Sequence, residues 1–367
     1  MGKIKRGVGV FLWLVFLISI CAIIAWYCFN ADFFKNEKSD EEESIPEGIP
    51  SIEWNNSSPE KSYEELSVLL SNMESEIAVI NCKKNPEWED ICMKNFWVDS
   101  FSISGVAGGN IKTFSFKFKD DAADNKAMQV QIDKEADDII SLIPGNADDY
   151  EKALIIHDEL IKRIEYDESV RLKHSHDIYG AFVDHKAVCQ GYTYAMMYIA
   201  GKIGLDCEEL SSQTHIWNKL PGFDSGECYV DITWDDIDKT DVEGNPYVIH
   251  DNFALSKREM ENLSEHQLLE DENDIEEKSS EGDNFFKKNG WYIPKGDSAV
   301  LELAVKEQLE SGGNTIELRF EDKTDYNNAR ETVDEMLRRM GYGDAYISWQ
   351  NESLLIYTVG LNPPTEE

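Results

Sequence analysis

Apolar residues in the first part of the chain follow two different periods. Over residues 63–80 they recur near every third or fourth position, which predicts an amphipathic helix. Further along, Phe114, Phe116 and Phe118 alternate with polar residues after the glycine-rich stretch 105–110. This second pattern predicts a β-hairpin whose returning strand is half buried.

The middle of the chain has predicted helices before predicted strands. Apolar spacing indicates helices over 126–143 and 149–164, and a third helix from Cys189 to Ile203 that Gly204 ends. Helices followed by a sheet make an α+β arrangement, which is the fold class that we expect for this region. The three predicted strands are Glu208–Leu210, His215–Leu220 and Glu227–Thr233.

The last part of the chain has the pattern of a small α/β domain whose function the sequence does not indicate. Its predicted helices cover 300–309 and 329–340, and its predicted strands cover 315–320, 345–349 and 354–359. Polar and acidic stretches set the segment limits. The predicted segments are a cytoplasmic tail (1–7), a membrane anchor (8–29), an acidic linker (30–60), an N-terminal α/β region (61–145), a catalytic core (146–265), a second acidic linker (266–284) and a C-terminal α/β domain (285–367).

Residues 8–29 are apolar and uncharged, and basic residues precede them while acidic residues follow. A run of this length can cross a hydrocarbon core of about 30 Å as a helix. The charge bias keeps the N-terminus in the cytoplasm. We therefore expect a single-pass membrane protein with everything after Asp32 outside. A cleaved signal peptide is the alternative, but its apolar region is usually shorter.

Acidic side chains outnumber basic ones by 72 to 35, which gives a net charge of −37. Such a surface repels phosphate backbones, so nucleic acid is excluded as a partner. Five cysteines lie outside the predicted anchor. Because five is odd, at least one thiol stays free if the others pair. A Cys82–Cys92 bridge and a fully reduced chain are both compatible with the spacing. The five are Cys82, Cys92, Cys189, Cys207 and Cys228.

One of these cysteines has the setting of a catalytic thiol. Cys189 stands where an apolar helix begins, and a helix N-terminus and a nearby imidazolium both favour a thiolate. Gly191 permits another segment to approach the first turn closely. His215 and Asp231 lie on neighbouring predicted strands, so an adjacent antiparallel pair would bring together a base and the carboxylate that orients it.

Three motifs around these residues resemble the core of the transglutaminase-like superfamily. They are C-x-G-Y at 189–192, H-x-W-N at 215–218 and D-x-T-W at 231–234, and the upstream segment 157–167 is also similar. The likeness covers about 150–236 and departs from many relatives at Ile216. It implies a papain-related core in which a helix with the nucleophile Cys189 packs on an antiparallel sheet with the base His215 and the orienting acid Asp231.

Other polar and aromatic residues near the motifs have expected secondary roles. Gln190, Tyr192, Trp217 and Trp234 are candidates for lining the cleft. The two tryptophans are also expected to pack beside the triad and to screen it from water. Asp235 and Asp236 are expected to cap or solvate the strand end. His174 and His176 lack a partner at metal-ligand spacing and predict a loop. No metal and no cofactor are predicted.

The resemblance and the residues together predict acyl transfer through a Cys189 thioester. The substrate would be a protein or peptide amide, cell-surface or wall-associated, and hydrolysis by a peptidase or amidase is favoured because nothing in the chain resembles the large architecture or calcium loops of cross-linking enzymes. The alternatives are a protein-cross-linking transglutaminase and a non-catalytic binding module on the same fold.

Overall fold

The computed structural model describes residues 49–362 apart from 56–58, 73–75, 83–90, 92–94, 106–108, 120–121, 224–225, 267–283 and 343–345. The helices in this part are α1 (Pro59–Asn72), α2 (Ala122–Ile140), α3 (Asp149–Arg163), α4 (Cys189–Ile203), α5 (Ile232–Asp235), α6 (Lys257–Glu261), α7 (Phe285–Asn289), α8 (Ser298–Ser311) and α9 (Lys323–Arg339), with a π-helical turn at Gly180–Asp184. The strands are β1 (Ser51–Glu53), β2 (Ile77–Asn81), β3 (Val98–Gly105), β4 (Ile111–Phe118), β5 (Glu165–Tyr166), β6 (Lys186–Ala187), β7 (Glu208–Ser211), β8 (Ile216–Pro221), β9 (Glu227–Val230), β10 (Asp236–Thr240), β11 (Pro246–Val248), β12 (Tyr292–Ile293), β13 (Thr315–Phe320), β14 (Tyr346–Asn351) and β15 (Ile356–Leu361).

The N-terminal region contains a four-stranded sheet in the order β1-β2-β4-β3. Strands β3 and β4 form the predicted hairpin, and Phe114 and Phe116 are buried as their alternation indicates. The helix predicted over 63–80 is wrong in its second half, because α1 ends at Asn72 and Ile77–Asn81 pairs with β4 as a strand. The sequence Ile-Ala-Val-Ile is rich in β-branched residues, which pack well on a sheet and here override an accidental helical spacing.

The middle region places helix α4 against the antiparallel sheet β7-β8-β9. Asn218 is opposite Val230 across β8 and β9, and its side-chain amide donates to the Thr193 carbonyl of α4 at 3.2 Å. Helix α4 ends at Gly204, whose φ of 72° is the left-handed value that glycine adopts readily, as predicted. The strand predicted to reach Thr233 stops instead at Val230.

The C-terminal region matches the predicted α/β pattern. Its sheet has the order β12-β13-β15-β14, and helices α8 and α9 pack on β13. The buried side chains of this region form their own hydrophobic cluster, which includes Leu318, Val333 and Tyr357. A separate cluster extends from Ile52 through the N-terminal and middle regions. The segments with Cys189, His215 and Asp231 are therefore built on a core shared with the N-terminal sheet.

The predicted α+β fold with a preceding transmembrane helix requires correction. The described residues form a mixed α/β fold, and none of their helices has both the length and the apolar character needed to cross a bilayer. Residues 8–29, on which the anchor prediction fell, lie outside the described residues. The membrane contact, the single-pass topology and the external location that were predicted from this segment are corrected with it.

The structure also bears on the cysteines and the linkers. Within its described part, Cys82, Cys189, Cys207 and Cys228 are thiols rather than disulfide partners, so no bridge from Cys82 is formed. Cys92, Cys21 and Cys28 lie outside the described residues. The acidic tract 270–283 also lies outside them, and the polar segment 30–60 is described only at 49–55 and from 59 onward.

Candidate active site

Cys189 is the first residue of helix α4 and is partly exposed. The segment before the helix is fixed by the Val188 N–H, which donates to the Ser175 carbonyl at 2.9 Å. A Cβ added at Gly191 would lie 2.6 Å from the Ala187 Cβ and 3.1 Å from the Ser175 carbonyl oxygen. Only glycine allows this approach of the loop to the first turn, which confirms the role expected for Gly191.

The position of Cys189 at the helix start has an electrostatic consequence. The first N–H groups of a helix have no acceptor within the helix, and together with the aligned peptide dipoles they place partial positive charge at this end. Cys189 stands at this positive end of α4.

His215 precedes strand β8 and connects the thiol to a buried acid. Its Nε2 lies 2.5 Å from Asp231 Oδ2, and its side chain also forms a hydrogen bond with Cys189. Because Nε2 is engaged by the carboxylate, Nδ1 is the ring atom that remains for the sulfur. Burial alone would lower the pKa of His215, but the Asp231 carboxylate and then Cys189 raise it to about 10.

Asp231 follows strand β9 and is buried. It is the N-cap of the short helix α5, because its Oδ1 accepts from the Trp234 N–H at 3.1 Å. This capping explains why the strand that was predicted to reach Thr233 ends at Val230 instead. Burial would raise the pKa of Asp231, but the His215 and His266 side chains bring it down to about 2, so the side chain is a carboxylate at neutral pH.

His266 completes the cluster and was not predicted from the sequence. Its Nε2 lies 2.7 Å from the same Asp231 Oδ2, and its Nδ1 lies 2.7 Å from the Ser264 carbonyl oxygen. Both ring nitrogens therefore face oxygen atoms. The side chain is fully buried. His266 stands in a polar segment just before the acidic tract, where neither periodicity nor motif spacing distinguishes it.

Two tryptophans pack beside the cluster. The Trp217 ring lies 5.9 Å from the His215 ring and nearly parallel to it, and the Trp234 ring lies 6.0 Å away on a tilted plane. Both rings also contact His266, at centroid distances of 4.8 and 4.9 Å. Trp217 is buried and Trp234 is half-buried. These rings reduce the access of water to the imidazole of His215.

The two predicted cleft residues lie in different environments. Gln190 is half-buried on the first turn of α4, and its side-chain amide donates to the Tyr194 hydroxyl at 3.1 Å. Tyr192 is buried, and its hydroxyl donates to Asp236 Oδ2 at 2.5 Å, which joins α4 to β10. Gln190 is thus close to the thiol on a partly open surface, whereas Tyr192 is directed into the protein.

Asp235 and Asp236 were expected to cap or solvate the strand end, but Asp235 is not exposed to solvent. Asp235 is fully buried and accepts from the Asn252 backbone N–H at 2.9 Å and from His157 Nε2 at 3.1 Å. Burial raises the pKa of Asp235 to about 6.

In the loop predicted to hold no metal, His174 pairs with Asp177 at 2.9 Å while His176 is exposed.

Two groups in the described part of the chain bring metal-ligating atoms together. In the first, the Nε2 atoms of His215 and His266 and one oxygen of Asp231 lie within 4.8 Å of one another. All three side chains are buried, both histidines are hydrogen-bonded to Asp231, and the His215 side chain also bonds Cys189. In the second, one ligating atom each of His157, Asp158 and His250 lie within the same distance of one another.

The chain matches no protein-family model and no curated protein sequence. Among solved structures, the chain is similar to a transglutaminase (TGase), with 12% sequence identity, a TM-score of 0.25 and coverage of 51% of this chain and 60% of that chain. It is also similar to menin, in a structure described as revealing the binding site for Mixed Lineage Leukemia (MLL) protein, with 16% identity, a TM-score of 0.25 and coverage of 35% and 29%. The chain thus spans less than two thirds of either structure, and such low TM-scores assign it no fold and no function.

Proposed function

We propose that this protein is a cysteine-dependent enzyme that transfers acyl groups from peptide or glutamine amides, with Cys189, His215 and Asp231 as its catalytic residues. One observation carries the proposal. A partly exposed thiol at the start of a helix is hydrogen-bonded to an imidazole whose opposite nitrogen is held at 2.5 Å by a buried carboxylate. This is the relation of nucleophile, base and orienting acid that thiol catalysis needs.

In the proposed reaction, His215 acts first as a base and then as an acid. His215 takes the proton of the Cys189 thiol, and the thiolate attacks the amide carbonyl to form a C–S bond. The tetrahedral oxyanion collapses as His215 Nδ1–H protonates the leaving amine, which breaks the C–N bond and leaves a thioester. Water then attacks the thioester and forms a C–O bond while His215 accepts its proton. The C–S bond breaks as His215 returns that proton to the Cys189 sulfur, which releases the carboxylic acid and restores the free thiol.

Developing charge is stabilised by groups that are already in place. The backbone N–H of Cys189 is the oxyanion donor that we propose, because the first amides of α4 lack acceptors within the helix. The Asp231 carboxylate stabilises the imidazolium of His215 and fixes its orientation. His266 is proposed as a positioning residue, because its hydrogen bond holds the Asp231 oxygen that faces His215. Trp217 and Trp234 shield this group of charges from water.

Hydrolysis is the favoured outcome, and the chain would then be a peptidase or amidase. The same triad would give transamidation if an amine replaced water, so the acceptor decides between the two reactions. Gln190, half-buried on the first turn of α4, is proposed to contact the substrate beside the thiol. Trp217 and Trp234 limit water around His215, which is the feature that a cross-linking transglutaminase would also use.

Selective alkylation of Cys189 tests the proposal. The purified chain is treated with iodoacetamide between pH 5 and 9, and each cysteine is followed by peptide mass spectrometry. Cys189 is expected to react fastest below pH 7, ahead of Cys82 and Cys207, whose thiol pKa values burial raises. In His215→Ala the rate at pH 6 should fall roughly 10²-fold, because an unassisted thiol with a pKa near 8.5 is well under 1% ionised there.

A matched variant and a clear contrary outcome complete this test. His176→Ala removes an exposed histidine outside the cluster and should leave the Cys189 rate unchanged. If Cys189 in the folded wild-type chain reacts no faster than Cys82, or if His215→Ala has no effect, the chain has no activated thiol. A non-catalytic binding module would then be the better interpretation. Products from amide substrates, with and without added amines, distinguish hydrolysis from transamidation.

A further inference from the structure

We propose that His157, Asp158 and His250 form a binding site for a zinc ion, separate from the Cys189 cluster and independent of its chemistry. His157 and Asp158 are adjacent on helix α3, and His250 lies in the loop after β11. His157 Nδ1 and His250 Nε2 are each 3.0 Å from the same oxygen, Asp158 Oδ1. Two imidazole nitrogens and a carboxylate oxygen are a donor set that zinc commonly takes.

The far side of each imidazole is held by a further carboxylate. His157 Nε2 lies 3.1 Å from Asp235 Oδ2, and His250 Nδ1 lies 2.8 Å from Glu317 Oε1. In zinc sites the ligating histidine almost always donates its other N–H to a carboxylate, carbonyl or water, which fixes the tautomer. Both histidines have this arrangement, and in each the opposite nitrogen is the one directed at Asp158.

The spacing of the rings fits a shared ion. The centroids of the His157 and His250 rings are 5.2 Å apart. Two imidazoles bound to one tetrahedral zinc at N–Zn distances of about 2.0–2.1 Å have centroids roughly 5 Å apart. The three ligand atoms already lie within 4.8 Å of one another.

The ion has a route into this site and room for a fourth ligand. Asp158 and His250 line a cavity of about 730 Å³ at the junction with the C-terminal region, and the Asp158 side chain is 27% exposed. Water from the cavity can occupy the fourth position of a three-ligand zinc site. Because His250 is also bonded to Glu317 on β13, the ion would link α3 to the C-terminal sheet.

Cobalt substitution tests the site directly. The full chain is alkylated with iodoacetamide to block thiol ligands, freed of metal with a chelator and titrated with Co²⁺. One equivalent is expected to produce visible d–d absorption of four-coordinate cobalt, which Zn²⁺ then displaces. Asp158→Ala should abolish the spectrum, and Glu317→Gln should weaken binding by about 10–100-fold. His176→Ala, an exposed histidine, should bind as the wild type does.

Several results of these titrations would contradict a zinc site at His157, Asp158 and His250. No stoichiometric binding by the folded wild type, or an unchanged affinity in Asp158→Ala, would overturn the proposal. Loss of the spectrum in His266→Asn with retention in Asp158→Ala would place the ion at the other cluster and would also overturn it. If Asp158→Ala does not fold, anomalous diffraction from zinc-soaked wild-type crystals decides the question, because density between His157, Asp158 and His250 supports the site and its absence refutes it.

Discussion

The two histidine–carboxylate clusters of this core differ in what stands behind each imidazole. In the cluster of His215, Asp231 and His266, the outer nitrogens face the Cys189 thiol and a backbone carbonyl. In the cluster of His157 and His250, both outer nitrogens face further carboxylates, Asp235 and Glu317. The central feature, a carboxylate oxygen shared by two rings, is the same in both.

This difference decides what each cluster is suited to do. A ring held by one carboxylate and open to a thiol can move a proton to and from sulfur, which supports the proposed nucleophilic role of Cys189. Rings held by carboxylates on their outer sides have their inner nitrogens fixed on one point, which suits a metal ion. Both clusters contain histidine and aspartate, so their composition does not separate the two functions. The group that faces the outer nitrogen of each ring does.

The largest expected effect comes from the central acid of the first cluster. In Asp231→Asn the amide no longer balances a charged His215, so the Cys189 alkylation rate at pH 6 should fall by roughly 10²-fold, as in a triad with the wrong tautomer. Asp206→Asn, on an exposed loop, should react at the wild-type rate. An unchanged rate in Asp231→Asn would show that the reactivity of Cys189 does not depend on this cluster. The proposed difference in role between the two clusters would then be wrong.

The stability of the two clusters should depend on pH with opposite sign. Burial raises the pKa of both Asp231 and Asp235, but His215 and His266 bring the first down to about 2, while the second stays raised at about 6. An acid with a lowered folded pKa contributes stability above its unfolded value, near 4, and loses it as pH falls through about 2. An acid with a raised folded pKa favours folding most at low pH, and this contribution is lost as pH rises from about 4 through 6.

Urea unfolding of two variants in chelator measures this contrast. The difference in unfolding free energy between wild type and Asp231→Asn should grow as pH rises from about 2 to 4. The difference between wild type and Asp235→Asn should instead shrink between about pH 4 and 6. Each change is expected to be of the order of 2–3 kcal/mol over the full titration. Parallel curves for the two variants would contradict the assignment of opposite shifts.

The thiol end of the first cluster depends on a close packing contact at Gly191. In Gly191→Ala the new methyl group would overlap Ala187 and the Ser175 carbonyl, so we expect a loss of about 1–3 kcal/mol in unfolding free energy and a slower Cys189. Gly201 lies on the same helix with open space around its Cβ position. Gly201→Ala should therefore be neutral or stabilise the chain by up to about 1 kcal/mol. Equal effects of the two substitutions in thermal or urea unfolding would exclude the contact as the cause.

The sequence correctly predicted those parts of the fold that depend on residues close together along the chain. The start of α4 at Cys189, its end at Gly204 and the burial of Phe114 and Phe116 follow from spacing and from glycine's conformational freedom. The strand at Ile77–Asn81 was missed because short apolar runs fit both periods and its partner β4 lies far along the chain.

The sites were predictable to a different extent. Motif resemblance singled out Cys189, His215 and Asp231, which the structure brings together. His266 and the second cluster depend on contacts between residues 35 to 92 positions apart, with no local pattern to indicate them. The strand predicted through Asp231 ended early because an aspartate can cap a helix as readily as it can follow a strand, and only the Trp234 contact decides between these.

The smallest expected effect concerns the histidine that no pattern indicated. If His266 only positions Asp231, His266→Asn should slow Cys189 alkylation at pH 6 by about tenfold, less than loss of the carboxylate itself, because one charged hydrogen bond contributes about 1.5 kcal/mol or more. The slower rate should recover as pH rises toward 9, where the thiol ionises without the imidazolium. A purely structural role would instead lower the rate equally at every pH and reduce the unfolding free energy. The pH profile thus separates an electrostatic role of His266, acting through Asp231 and His215, from simple packing between Trp217 and Trp234.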